Sequence, residues 1–159
     1  MNNMPNHIPT QTTLLFRSLS LIFTALVIGQ LAAFVIFFQM KPTVEQPNST
    51  LQFIAGFFAI GAILGAPFLY MTLLRNNINL NTPLEQKLRS YFSANLVKLA
   101  VLESAALFCL VCLLITGKLL FAYLFIAVFF SFMLHRPSPA KCAADLQLTE
   151  EDKRQMVGV

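Results

Sequence analysis

Residues 95–134 read NLVKLAVLESAALFCLVCLLITGKLLFAYLFIAVFFSFML, and this stretch decides the fold. It contains two apolar runs, 95–115 and 119–134, with Gly117 and Lys118 between them. A helix needs about 20 apolar residues to cross a hydrocarbon core of about 30 Å, and both runs come near that length. Because the connection leaves room only for a tight turn, the stretch predicts an antiparallel pair of transmembrane helices.

Two further apolar runs precede this pair, at residues 19–40 and 51–74. In the whole chain of 159 residues, 57% are hydrophobic and 11% are charged. Soluble domains carry about 25% charged residues, so a soluble fold of this composition would expose large apolar patches that lipid can instead cover. The sequence therefore predicts an all-α polytopic membrane protein, a four-transmembrane-helix bundle made of two hairpins.

The third helix is predicted to begin ahead of its membrane span. Thr82-Pro83-Leu84-Glu85 has the pattern of a capping box with proline at the first helical position. A helix from there to Thr116 would be about 51 Å long at 1.5 Å per residue, which exceeds the thickness of the bilayer. Its first turns, residues 83–94, carry apolar and charged side chains on neighbouring faces and are predicted to form an interfacial extension.

Polar segments flank the transmembrane domain of residues 19–135. Residues 1–18 form a polar N-terminal segment, and residues 136–159 form a polar C-terminal tail. In the tail, RPSPAK at 136–141 is predicted to be extended, and the sequence from Thr149 has the pattern of the start of a short last helix. No separate soluble domain fits in these segments.

The basic residues near the span ends predict the orientation. One side of a four-span arrangement receives six Lys or Arg residues, and the other receives only Lys41 and Lys118. Cytoplasmic loops carry the excess of Lys and Arg, so both termini are predicted to be cytoplasmic, in a bacterial inner membrane. Lys98 lies just inside the third span on the same side and is expected to extend to the interface, where it would anchor the protein together with Arg89 and Arg136. The six residues are Arg17, Arg75, Lys87, Arg89, Arg136 and Lys141.

Glu103 lies near the middle of the third span. A charge there costs roughly 2.5–3.5 kcal/mol on insertion scales, so such residues usually face the bundle interior and often serve a proton or ion path. Asn95 lies on the same helix face, and Gln30 lies at a matching depth in the first span, within reach of the carboxyl group. Two interpretations remain open: a carboxyl group that joins helices or subunits, and a role in moving an ion, a proton or a substrate.

The second span contains Gly61 and Gly65 as a GxxxG pair, with Gly56 nearer its start. Small residues at this spacing allow two helix backbones to approach closely. The three glycines are therefore candidates for helix packing, either inside one chain or between chains of an oligomer.

Part of this pattern resembles the helical hairpin of rotary-ATPase ring proteolipids. The resemblance covers residues 56–116, where a glycine-containing span and a polar connection precede a span with a midmembrane carboxylate, followed by the apolar run in ESAALFCLVCLLI. In that family the carboxylate carries the proton or sodium ion. The resemblance implies the same role for Glu103.

Cys109 and Cys112 form a CxxC near the outer end of the third span. In this respect the chain looks similar to four-helix quinone-linked thiol oxidases, which implies thiol–quinone redox chemistry. Those enzymes also use a second external cysteine pair, which this chain lacks because Cys142 falls on the predicted cytoplasmic side. Thiols buried in apolar surroundings react poorly, so we expect the CxxC to serve in packing.

The other motifs of common enzymes are missing from the sequence. It has no nucleotide-binding glycine loop, no Ser/His/Asp set and no paired catalytic carboxylates, and we expect neither a cofactor nor a metal site. A net charge of +4 is too small to indicate nucleic-acid binding. The general pattern resembles uncharacterised small four-span bacterial membrane proteins, which implies location and architecture. We therefore predict a non-enzymatic subunit or accessory of a larger membrane assembly, with the lipid bilayer and further copies or other membrane proteins as partners.

Overall fold

The computed structural model describes residues 8–42, 49–77, 82–146 and 148, and all regular secondary structure in these ranges is helical. Each predicted apolar run lies within one helix, so the all-α prediction is confirmed for the described residues. Three of the helices are long and apolar enough to span a membrane, and α4 is a shorter apolar helix. In chain order the helices are α1 (Ile8–Met40), α2 (Ser49–Asn77), α3 (Leu84–Thr116), α4 (Leu119–Leu134) and α5 (Pro139–Asp145).

Two helix starts differ from the predicted ones. Helix α1 begins at Ile8, inside the segment predicted to be polar and separate, because Leu15 and Phe16 find apolar neighbours at that end of the bundle. The N-cap of α3 is Pro83, which makes no side-chain hydrogen bond. The helix thus begins one residue later than predicted, and the Glu85 carboxylate pairs with a residue one turn later in the helix.

The start of the tail also differs from its prediction. Residues 139–141, predicted to be extended, belong to α5. Ser138 is the N-cap of this helix: its Oγ accepts a hydrogen bond from the Lys141 amide at 3.2 Å, and proline follows it directly. Both features are strong helix-start signals. The further helix predicted from Thr149 lies outside the described residues.

Helix α3 is the centre of the bundle and packs against α1, α2 and α4. Half of its most apolar window is buried, whereas only 11% of the corresponding window of α1 is buried. The chain reverses after α3 at Gly117, whose φ of +70° is the left-handed conformation that glycine adopts most easily. A Cβ at Gly117 would lie 2.6 Å from the Pro42 carbonyl oxygen, so this turn lies against the segment that follows α1. The predicted hairpin of the third and fourth helices is confirmed, whereas the predicted first hairpin is wrong as a packed pair, because α1 packs mainly against α3 and not against α2.

The main core uses the alanines of α2, and the glycines lie elsewhere. The buried alanines are spaced four, three and four residues apart, which places them on one helix face. A Cβ added at Gly56, Gly61 or Gly65 would meet nothing within 4 Å. The interpretation that these glycines pack against another helix of the same chain is therefore wrong. The close approach is made by the alanines Ala55, Ala59, Ala62 and Ala66.

A second apolar cluster closes the end of the bundle opposite Gly117. It joins the beginnings of α1 and α3, the end of α2 and the tail. In the 83–94 segment, the apolar side chains of Leu88 and Tyr91 are covered by other parts of the chain. The buried members of this cluster are Leu19, Tyr70, Leu74, Leu88, Tyr91, Ala94, Cys142, Leu146 and Leu148.

Candidate functional site

A polar pair joins α1 and α3 inside the bundle. The side chain of Gln30 is 0% exposed, and its Nε2 donates a hydrogen bond to Oε2 of Glu103, which is partly buried. This is the contact that the matching depths of the two residues predicted.

The surroundings of Gln30 are apolar. Phe23 lies seven residues before it and Phe34 four residues after it, on the same face of α1. Phe23 stacks on Phe132 with ring centroids 5.1 Å apart, and Phe34 stacks on Phe125 at 5.0 Å. The amide therefore lies between two aromatic stacks that join α1 to α4, where a lost hydrogen bond has no easy replacement.

The polar pair has one unused acceptor. Among the described residues, the Oε1 of Gln30 has no hydrogen-bond partner although it is buried. A protonated carboxyl group carries one O–H donor, so protonation of Glu103 would add a donor to a pair that already contains an unpartnered acceptor. The pair thus contains a donor for a carboxylate and an acceptor for a protonated carboxyl group.

Asn95 is on the same face of α3 but does not join this pair. It is fully buried, its Nδ2 donates to the Tyr91 carbonyl oxygen at 2.9 Å, and its Oδ1 has no partner among the described residues. It lies on the side of Glu103 that faces away from Gly117, about two helical turns along α3. The structure therefore brings Gln30 and Glu103 together and leaves Asn95 with a different group of residues.

The prediction for Lys98 has to be corrected. Its side chain is only 6% exposed, and Nζ lies 4.1 Å from the centroid of the Tyr70 ring, in cation–π geometry. The residue therefore points into the protein instead of running outwards along it. The inward position follows from packing against the Tyr70 ring, since the nearby charges of the tail act in opposite directions and the repulsion from Lys141 is larger than the attraction to Asp145.

The tail is tied to the bundle by polar contacts that the sequence did not reveal. Tyr70 Oη donates to Asp145 Oδ2 at 2.5 Å, and Tyr91 Oη donates to the Ser138 carbonyl oxygen at 3.4 Å. We call Tyr70, Tyr91, Asn95 and Lys98 the polar seat: all four are buried, the two tyrosines bond to the tail, Asn95 bonds to the Tyr91 carbonyl oxygen, and Lys98 lies over the Tyr70 ring. One local signal was available: Ser138 followed by proline marks a helix start.

The remaining predicted anchors are on the surface. Arg89 Nη2 lies 2.7 Å from Glu85 Oε1, one helical turn away, and both side chains are exposed. Arg136 is exposed in the connection between α4 and α5. An exposed ion pair of this kind contributes little to stability, so Arg89 could exchange Glu85 for a polar or anionic surface at little cost.

The three cysteines are free thiols, and all are buried. Cys109 and Cys112 lie in the main core, which agrees with the packing role predicted for them. Cys142 lies in the second cluster, at the opposite end of the bundle from Gly117. In the part of the chain that the structure describes, no group of three or more His, Cys, Asp or Glu residues is arranged to hold a metal ion.

Comparison of this chain with family models, with curated proteins and with solved structures finds no match. The assignment of function therefore depends on the residues and their geometry.

Proposed function

We propose that this chain is an integral membrane protein in which α1 to α4 cross the bilayer, and that it acts as a non-enzymatic subunit or accessory of a larger membrane assembly. Both termini lie on the cytoplasmic face, in a bacterial inner membrane. The proposal takes the apolar outer surface of the bundle as the surface that lipid and neighbouring membrane proteins cover.

The observation that carries the proposal is the outward apolar surface of α1 and α2. Large apolar side chains on these helices point away from the bundle, and Phe57 is 81% exposed. A soluble monomer rarely leaves so much contiguous apolar surface in water. Others with more than 60% exposure are Leu21, Ile28, Met40, Phe53, Leu64 and Phe68.

The positions of the charges support the orientation. Arg75, Lys87, Arg89, Arg136 and Lys141 lie near the end closed by the second cluster, whereas Lys41 and Lys118 lie near the Gly117 turn. The positive-inside rule assigns the first end to the cytoplasm.

The small buried fraction of α1 supports a role within an assembly. With only 11% of its apolar window buried, this helix has most of its surface left for other contacts. The glycines of α2 add a face on which a second helix could approach, because a Cβ there meets nothing in this chain.

The test is the mass of the particle extracted in a mild detergent, with chemical cross-linking in the membrane before extraction. We expect a particle larger than one chain and one detergent micelle. Gly61→Leu should reduce its mass without loss of helix signal, since a Cβ at Gly61 meets nothing within 4 Å in this chain. Ala127→Leu is the control, because it enlarges an exposed small residue on α4, outside the two helices assigned to assembly. A monomer without cross-linked neighbours would overturn the proposal.

A second candidate is translocation of a proton or another ion by an oligomer through Glu103. The unpartnered Oε1 of Gln30 beside this carboxyl group favours it, because a site that exchanges protons must accommodate both protonation states. In reconstituted vesicles with an imposed pH gradient, Glu103→Gln should abolish proton flux while the mass of the particle is unchanged. Ser104→Ala, on the exposed side of the same helix, is the control. Equal flux with Glu103→Gln would exclude this candidate.

A further inference from the structure

The last described part of the chain is docked on the bundle by apolar contacts. We call α5 together with Leu146 and Leu148 the tail segment. Cys142, Leu146 and Leu148 are buried in the second cluster, against residues from α1, α2 and α3. The tail segment therefore covers the end of the bundle at which α3 begins.

One side chain of the tail segment makes a specific polar contact with the seat. Asp145 Oδ2 accepts the hydrogen bond from Tyr70 Oη, across 75 positions of sequence. Lys98 lies over the ring of the same tyrosine, and the charges of Asp145 and Lys141 both act on it. The seat thus receives a carboxylate with a phenol donor and a nearby ammonium group, which is the donor set that suits an acidic side chain.

The contact is built so that it can open. Asp145 is itself exposed, so its carboxylate can return to water without breaking the packing of a helix in the main core. The tail segment is short, and the burial of three apolar side chains does not by itself offset the ordering of about ten residues. Polar contacts must therefore contribute to docking, and the hydrogen bond from Tyr70 to the Asp145 carboxylate is one of them.

We propose that the tail segment is an intramolecular latch, in which Asp145 occupies the polar seat. Within the seat, Tyr70 and Lys98 form the site for an acidic side chain. Opening of the latch uncovers Tyr91, Lys98 and the apolar face of α3 from Leu88 to Tyr91. A partner that docks at this end of the bundle must displace the tail segment, and the chemistry that does so is an acidic side chain on a short amphipathic helix. Assembly with such a partner is then controlled by the protein's own tail.

Cys142 reports the state of the latch. In the docked segment it is 0% exposed, and burial, with a smaller effect of the Asp145 carboxylate, raises the pKa of its thiol to about 12. A free thiol has a pKa of about 8.5 and reacts as the thiolate. Labelling of Cys142 at neutral pH therefore follows the fraction of molecules in which the latch is open.

The experiment uses the full chain with Cys109 and Cys112 replaced by Ala, which leaves Cys142 as the only thiol. The rate of reaction with a water-soluble maleimide is compared between this protein and its Asp145→Asn and Tyr70→Phe variants. Tyr70→Phe removes the donor of a hydrogen bond to a charged group and should raise the labelling rate roughly 10- to 100-fold. Asp145→Asn removes the charge but keeps an oxygen acceptor for the Tyr70 hydroxyl, so it should act in the same direction to a smaller extent, and combining the two should add little.

Matched controls remove the same groups outside the seat. Glu85→Gln neutralises an exposed carboxylate, and Tyr123→Phe removes an exposed phenol, so both should leave the labelling rate within about twofold. Far-UV circular dichroism of Tyr70→Phe should retain the parent helix signal. The latch is overturned if Tyr70→Phe labels as slowly as the parent, if the parent already labels as fast as a free peptide thiol, or if Tyr70→Phe loses the helices of the bundle.

Discussion

Replacing Glu103 with Leu should destabilise the protein by leaving Gln30 without its hydrogen-bond partner. The Oε1 of Gln30 has no partner among the described residues, and its Nε2 bonds to Glu103. The loss of that acceptor leaves a fully buried amide with nothing to bond to in this bundle, at a cost of roughly 1–3 kcal/mol. For a chain of this size each kcal/mol shifts the unfolding midpoint by about 2–4 °C, so the expected loss is about 2–12 °C.

The assay is thermal unfolding in a single mild detergent, followed by the fraction of protein that still elutes as the native particle after heating. Glu103→Gln keeps an acceptor for Gln30 and adds a donor that its free oxygen can accept, so it should unfold near the parent temperature. Gln30→Leu should cost about as much as Glu103→Leu, since it leaves the Glu103 carboxyl group alone. Ser104→Ala is the control, because that exposed hydroxyl bonds only to its own helix, at the Ala100 carbonyl oxygen.

The double variant with Leu at both Gln30 and Glu103 is decisive. Removing both partners of a buried hydrogen bond is close to neutral, whereas removing one is costly. We therefore expect the double variant to be more stable than either single Leu variant. A double variant whose destabilisation equals the sum of the two single losses would refute the reasoning, because it would mean that the residues contribute independently.

Three other predictions follow from the fold. A reporter that is active only outside the cytoplasm should give a strong signal when inserted within residues 43–48 and none when fused after Val159; the opposite pattern would reverse the orientation. Replacing both Cys109 and Cys112 with Ala should leave the helix content unchanged and lower the unfolding midpoint only modestly, since both thiols are buried in packing contacts. A disulfide trapped between one of these cysteines and a partner would instead restore the redox interpretation. Gly117→Ala should destabilise by roughly 1–3 kcal/mol, because φ is +70° and the new Cβ would lie 2.6 Å from a backbone oxygen; an unchanged midpoint in the same thermal assay would contradict the turn geometry.

The correct predictions came from local sequence signals or from the depth of a residue along its membrane span. Apolar runs of the right length, with a tight connection at Gly117, predicted the helices because backbone hydrogen bonds inside an apolar segment are satisfied by helix formation. The pairing of Gln30 with Glu103 followed from placing two polar residues at the same height in two helices. A buried polar group needs a partner, and few were available at that height.

The sequence-based predictions failed where the hydropathy pattern of a helix did not distinguish one of its faces from another. Helix α2 is apolar on all sides, so hydropathy gives no reason to bury its alanine face in preference to the face of Gly61 and Gly65. The alanine face of α2 is buried because it packs against α3, where small side chains allow the two helix backbones to approach closely. Only the packed structure contains that information.

The same distinction applies to the chain as a whole. The sequence by itself determined that the chain forms apolar helices, where they begin and end to within a few turns, and that Glu103 requires a polar neighbour. The tertiary structure decided that Lys98 turns inwards and that the tail closes the bundle. Those outcomes involve contacts between distant parts of the chain, such as the hydrogen bond between Tyr70 and Asp145, which are 75 positions apart, and no local pattern specifies a contact at that separation.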